Sequence, residues 1–212
     1  MSRAVPIPRE VKESWKPPEK LTVSEWADKY RVLASETSSE PGQWRNKRTP
    51  YLVSIMDAFS DPYIERIVFN KGSQLGGTES LYNMLGYAIH QDPSPALFVM
   101  PTLDLAKSVS RKRIHPMIDG SPELAARKPS NEDDFTTLEM LFPGMVLTLA
   151  GANSPASLAS RPCRYVFLDE VNKFPRFTGQ EADPISLATE RQKTFWNKKT
   201  VITSTPTTED GQ

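Results

Sequence analysis

Between Arg66 and His90 a short apolar run, Arg66-Ile67-Val68-Phe69, leads into the loop Lys71-Gly72-Ser73-Gln74-Leu75-Gly76-Gly77 and then into a stretch with helical periodicity from Thr78. Leu81, Met84, Leu85, Ala88 and Ile89 recur there at the spacing of one helix face. Strand, glycine loop and helix in that order open an alternation that continues downstream. Ala96–Met100 reads as a second, fully buried strand, and Leu103, Ala106, Val109 and Ile114 as another helix ending before Asp119-Gly120. Such β–α alternation predicts a parallel sheet covered on both faces.

After this the pattern changes. Thr136–Leu141 and Met145–Leu149 flank Phe142-Pro143-Gly144 and predict a hairpin. Tyr165–Leu168 and Thr200–Ser204 are two further strands, with a helix over Ile185–Phe195 between them. Residues 1–48 differ from the rest: they are rich in proline and sparse in apolar residues, and Trp15, Trp26 and Trp44 punctuate polar sequence. They are expected to form an extended arm packed on a core over residues 49–212. Within the arm Thr22 and Glu25 fit a capping box. Thr49-Pro50 reads as a helix start, Thr as N-cap and Pro at the first helical position, with Leu52, Ile55, Met56 and Phe59 on the buried face.

Composition excludes several classes. Lys and Arg total 26 and Asp and Glu total 26, so the chain is neutral and no global charge argues for a dedicated DNA-binding clamp. One cysteine, Cys163, and two distant histidines, His90 and His115, leave neither a disulfide framework nor a zinc site. No stretch approaches the roughly 20 apolar residues that span a bilayer, and the N-terminus lacks the apolar core of a signal peptide, so neither export nor a membrane partner is expected.

The loop aligns with the phosphate-loop pattern G-x-x-x-x-G-K-[ST] with two departures: Lys71 stands at the first glycine position and Gly77 at the lysine position. The charge has changed ends of the loop. A lysine at its start has the reach to bring its ammonium near the β- and γ-phosphate oxygens, and Thr78 stands where the Mg²⁺-binding hydroxyl belongs. The competing reading is an ordinary strand-to-helix turn with a solvated lysine. A second motif decides between them: Tyr165-Val166-Phe167-Leu168 ends in Asp169-Glu170. In phosphate-loop ATPases an aspartate at such a strand end holds Mg²⁺ and an adjacent glutamate activates the attacking water. Val201-Ile202-Thr203 runs similarly into Ser204-Thr205-Pro206, a strand end suited to sensing the γ-phosphate.

With these residues in place, the sequence resembles the ATPase part of phage terminase large subunits of the lambda-like type. The resemblance is carried by LTVSEWADKYRVL, PGQWRNKRTPYLVSIMDA, KGSQLGGTE, LTLAGANSPASLASRPCRYVFLDEVNKFP and STPT, and runs from about residue 20 onward. A lysine at the start of the loop is a variation met in that family. The implied fold is an α/β phosphate-loop NTPase of RecA-like type, with a mainly parallel central sheet flanked by helices, an irregular N-terminal arm and one hairpin. The implied activity is ATP hydrolysis with Mg²⁺, driving double-stranded DNA into a procapsid in the host cytoplasm. Its implied partners are a terminase small subunit and a portal protein, with the motor acting as a homo-oligomeric ring. Lys71 through Thr78, with Glu79 behind it, would bind nucleotide; Thr78 and Asp169 would hold Mg²⁺; Glu170 would activate water; Ser204, Thr205 and Pro206 would couple hydrolysis to movement.

Arg48 and Tyr51 are candidates for adenine contacts, with packing and a solvated charge as the alternative. Arg161 and Arg164, just before the acidic strand, are candidates for stabilising transition-state charge, with a structural role as the alternative. Arg111-Lys112-Arg113 and Lys198-Lys199 are candidates for a local DNA grip. Family members carry a nuclease domain after the ATPase; this sequence stops at Gln212, and Glu132-Asp133-Asp134 has no two-metal spacing, so endonuclease activity is not expected of it. Two other readings remain at this stage: a truncated, weakly active prophage fragment serving as a binding module, and a helicase-type ATPase for which PTLDLAKS would contact single strands.

Overall fold

A computed structural model describes residues 19–36, 38–72, 75–159, 161–175 and 183–205; Trp15, Ser73, Gln74 and Pro206 lie outside the described residues. Helix α1 (Val23–Tyr30) precedes the two-residue strands β1 (Val32–Leu33) and β2 (Gly42–Gln43). Helix α2 (Val53–Ser60) leads to strand β3 (Arg66–Asn70), helix α3 (Gly77–His90) and strand β4 (Ala96–Met100). Helices α4 (Leu103–Val109), α5 (His115–Gly120) and α6 (Pro122–Ala125) follow, then the hairpin of β5 (Glu139–Phe142) and β6 (Met145–Gly151). The remainder is helix α7 (Pro155–Leu158), strand β7 (Tyr165–Leu168), helix α8 (Pro184–Glu190) and strand β8 (Lys199–Ser204).

The six-stranded sheet has the order β3-β8-β7-β4-β6-β5, with only β5 antiparallel to its neighbour. The last strand in sequence is thus inserted between the strand that precedes the glycine loop and the strand that ends in Asp169. Register places Asn70 beside Ser204 and Leu168 beside Ile202, so the carboxyl ends of β3, β8 and β7 meet at one edge. Helices cover both faces, as the alternation of elements predicts. On one face Phe59, Phe167, Phe98 and Tyr82 form a run of stacked rings between the sheet and helices α2 and α3, with centroids 5.6, 5.8 and 6.1 Å apart. On the other, Leu97, Val99, Val166 and Leu168 pack with Leu158 and Ala188.

Residues preceding the first sheet strand share this core. The Thr22–Glu25 capping box is formed in both directions. Trp26 is fully buried against Gly86, where an added Cβ would stand 2.3 Å from Trp26 Cη2, and its indole N–H donates to His90 Nδ1 at 2.9 Å. Trp44 is buried in the same cluster.

Three boundaries differ from expectation. The α-helix after Thr49 starts only at Val53, because Pro50–Leu52 forms a 3-10 turn and the Thr49 hydroxyl caps nothing; Ile55 is half-buried. The helix from Leu103 is interrupted by a π turn over Ser110–Ile114, since Pro116 lacks the N–H that would bond Lys112 and its ring crowds that carbonyl. Helix α8 stops at Glu190 instead of running to Phe195. There buried Gln192 donates to the carbonyls of Arg164 and Lys199, both at 2.8 Å, and accepts from Thr200 Oγ1 at 2.6 Å, a tertiary use that outweighs helical propensity. Lys199 is also not a DNA-gripping cation: it is buried, and its ammonium donates to the carbonyls of Asp61 and Ile64.

Two predictions test the N-terminal packing. Gly86→Ala, which by helix propensity alone would stabilise by about 1 kcal/mol, is expected to destabilise by about 1–3 kcal/mol in denaturant titration because Trp26 occupies the space. Burial and Arg127 hold the His90 imidazole below its ordinary pKa, against a smaller opposing pull from Glu123; burial likewise lowers His115. The unfolded chain therefore binds more protons, and stability present above about pH 6.5 is lost as pH falls below it. Thermal melting should show this slope, reduced in His90→Gln.

Candidate nucleotide site

The carboxyl-terminal edge of the sheet gathers Lys71 from β3, Asp169 from β7 and Thr203 from β8, and sets Thr78 opposite them on the first turn of α3. The Lys71 ammonium lies 2.5 Å from Asp169 Oδ1 and 2.5 Å from Thr78 Oγ1. Thr203 Oγ1 donates to Asp169 Oδ1 at 2.5 Å, and Thr78 Oγ1 to Asp169 Oδ2 at 3.4 Å. Lys71 is 8% exposed and Asp169 2%. Burial of both charges is costly, and the hydroxyls that fill their remaining hydrogen-bonding sites offset part of that cost. The Lys71 N–H also donates to Ser204 O at 2.8 Å, tying the start of the loop to the end of β8.

The two departures from the phosphate-loop pattern prove to be one feature. A Cβ added to Gly77 would lie 2.7 Å from Lys71 Cδ and 2.8 Å from Lys71 Cβ. The lysine stem crosses the helix start at the position where the usual lysine would leave the backbone, so only glycine fits beneath it. Gly76 supplies the left-handed turn into α3, at φ 76° and ψ 6°. Gly77, Thr78 and Glu79 then begin a helix of 14 residues with no side-chain cap, leaving first-turn N–H groups for an anion.

A cleft of about 510 Å³ opens over this edge, lined by Lys71, Gly72, Leu75, Gly76, Gly77, Thr78, Glu79, Glu170, Lys173 and Thr205. Glu170 has φ 58° and ψ 45°, the one left-handed residue other than glycine among those described. Such a conformation is uncommon off glycine and clusters at functional sites. It turns the chain into a 3-10 segment, Val171–Lys173, that brings Lys173 Nζ to 2.6 Å from Glu170 Oε2. Asn172 in the same turn donates to Thr205 O at 2.9 Å.

Thr78 and Asp169 offer hard oxygen donors of the kind that Mg²⁺ takes. Among the described residues no cluster of three or more His, Cys, Asp or Glu could hold a metal by itself. Arg48 and Tyr51 do not line the cleft itself; they line a depression of about 330 Å³ that shares Leu75, Gly76 and Glu79 with it. Tyr51 OH donates to Leu75 O at 2.9 Å, and Arg48 pairs with Glu40 at 2.6 Å.

Arg161 and Arg164 stand apart from the cleft. They precede β7, so they stand at the amino end of the strand whose carboxyl end carries Asp169, and neither lines the cleft. Arg164 makes a bidentate pair with Asp92, both contacts 2.7 Å, and Arg161 pairs with Glu139 at 3.1 Å.

Residues 38–212 match the family described as phage terminase large subunit gpA, ATPase domain. The chain belongs to that family. It is 25% identical over 194 residues to the terminase large subunit of Enterobacteria phage P21, covering 89% of this chain and 30% of that protein. The large terminase of bacteriophage HK97 shares its fold, with a TM-score of 0.62 at 13% identity over 86% of this chain and 37% of the other. The large terminase of a thermophilic bacteriophage gives 0.50 at 18% identity over 70% of this chain and 35% of the other. The chain thus spans about a third of the length of these relatives, as a terminase ATPase domain with the RecA-like phosphate-loop fold.

Two participants in this terminase site carry no motif signal. Arg31, 3% exposed, reaches from the N-terminal region to pair with Glu79 at 3.0 Å; burial lowers its pKa and Glu79 opposes that. Lys173 is the other, legible only as a basic residue three positions after Glu170. Gly77→Ala is expected to displace the Lys71 stem and weaken ATP binding by about tenfold or more in fluorescence titration, with the thermal transition kept.

Proposed function

We propose that this chain is the nucleotide-hydrolysing part of a packaging motor that drives double-stranded DNA into a procapsid, using Mg²⁺-ATP and acting as a ring in the host cytoplasm. The observation that carries the reading is the convergence of Lys71 and Asp169, at the carboxyl ends of two parallel strands that flank β8, with Thr78 at a helix start that is itself an anion site. A terminase small subunit and a portal protein are the partners that the family implies. Residues 49–212 are proposed as the ATPase core and residues 1–48 as an arm upon it. Among the described residues no helix is long and apolar enough to cross a membrane.

In this reading Lys71 and the N–H groups of Gly77 and Thr78 hold the phosphates, with Ser73 and Gln74 completing the loop. Thr78 and Asp169 would hold Mg²⁺, which when bound neutralises charge on the β- and γ-phosphate oxygens. Glu170 takes the proton of the attacking water. Thr203 bonds the same Asp169 oxygen as Lys71, and Ser204 bonds the Lys71 backbone, so β8 contacts both halves of the site. We assign Ser204, Thr205 and Pro206 the coupling role because a change at the phosphates reaches the end of β8 at Thr203 and Ser204 through those two bonds. Adenine is proposed to rest against Tyr51 and Arg48.

Glu170→Gln is expected to lower the rate of phosphate release from Mg²⁺-ATP by about 10²-fold or more without weakening ATP binding, with duplex DNA present. Hydrolysis equal to the unsubstituted protein would overturn the role of Glu170.

A further inference from the structure

With Arg161 and Arg164 at the far end of β7, the question of which cation meets the terminal phosphate reopens. Among the described residues lining the cleft, two carry positive charge: Lys71 and Lys173. Lys71 is buried on Asp169, and the cleft's Glu79 already has Arg31 as its partner. Glu170 is held by Lys173 alone of the ion pairs in the cleft, at 2.6 Å. The side chains of that pair are 52% and 27% exposed, so the contact is of the solvent-screened kind that is weak and readily exchanged. A triphosphate entering the cleft brings several negative charges to the same ammonium.

We propose that Lys173 contacts the terminal phosphate of the bound nucleotide, and that it does so by giving up its ion pair with Glu170. The exchange links two events. In the empty cleft Lys173 occupies the Glu170 carboxylate; once Lys173 turns to the phosphate, that carboxylate faces the cleft without this partner. The left-handed turn at Glu170 makes this possible, because it folds the chain back so that the general base and the phosphate-seeking cation sit three residues apart above one cleft. Lys173 thereby connects the presence of the terminal phosphate to release of the base.

The inference rests on the cleft being an ATP site, and the test separates the two. Mg²⁺ complexes of fluorescent ATP and AMP analogues would be titrated into the full chain and into Lys173→Ala, Lys173→Arg, Glu170→Gln and the Lys173→Ala/Glu170→Gln double variant. Lys173→Ala should weaken ATP about tenfold or more and leave AMP within about twofold, and Lys173→Arg should recover most of the loss. Glu170→Gln should tighten ATP severalfold, and that gain should shrink when Lys173 is already absent, as a double-mutant cycle reads it. Equal changes for ATP and AMP in Lys173→Ala, or a Glu170→Gln gain independent of Lys173, would overturn the proposal. An unsubstituted chain that binds neither nucleotide would overturn the ATP-site reading itself, and this inference with it.

Discussion

The buried ion pair between Lys71 and Asp169 is the contact on which the site depends. It joins the strand before the glycine loop to the strand carrying the acidic pair, across the intervening β8. Neither charge tolerates burial alone, since removing one partner of such a pair costs about 3–5 kcal/mol. Thr78 bonds both charged groups and Thr203 bonds Asp169, so helix α3 and strand β8 are held to the pair as well. One interaction therefore sets the mutual placement of four elements, and a phosphate or a divalent cation arriving there competes for atoms that already position one another.

That arrangement explains the form of the loop. Lysine at the start and glycine at the helix entrance are linked sterically: the Lys71 stem lies over Gly77 at a distance no Cβ would permit. The ammonium still reaches the helix start, as a lysine in the more usual place would, but it approaches from the β3 side. The consequence is backbone continuity between the loop and β8, because the Lys71 N–H bonds Ser204 O. The displaced charge thus brings the residue proposed to bind phosphate into direct contact with the segment proposed for coupling.

The two carboxylates of the acidic pair occupy different electrostatic settings. Asp169 is buried and surrounded by hydroxyls and an ammonium; Glu170 is part-exposed on a left-handed turn with a long-stemmed partner, Lys173. Adjacent residues thus divide fixed and exchangeable interactions between them. Asn172, donating to Thr205 O from that same turn, gives the end of β8 a third link to the site, two residues from Glu170.

The sequence by itself determined the class of fold and most of the chemistry, because both rest on local information. Apolar runs of four or five residues, helical periodicity and the glycine loop specify elements, and the fully buried runs Ala96–Met100 and Tyr165–Leu168 match their strands without adjustment. Residues 71, 78 and 169–170 could be singled out from their types and their places at the ends of those elements, and folding brings Lys71, Thr78 and Asp169 into contact. Strand order was decided only in three dimensions: nothing local says that β8, last in sequence, inserts between β3 and β7, and that insertion brings Thr203 and Ser204 to Asp169 and Lys71. Tertiary contacts also decided where α8 ends, through the buried amide of Gln192, and removed Arg161 and Arg164 from the cleft, since the direction of a strand end depends on how strands are aligned. Arg31 and Lys173 entered the site for the same reason: a charged side chain declares its partner only when folding brings the opposite charge within reach.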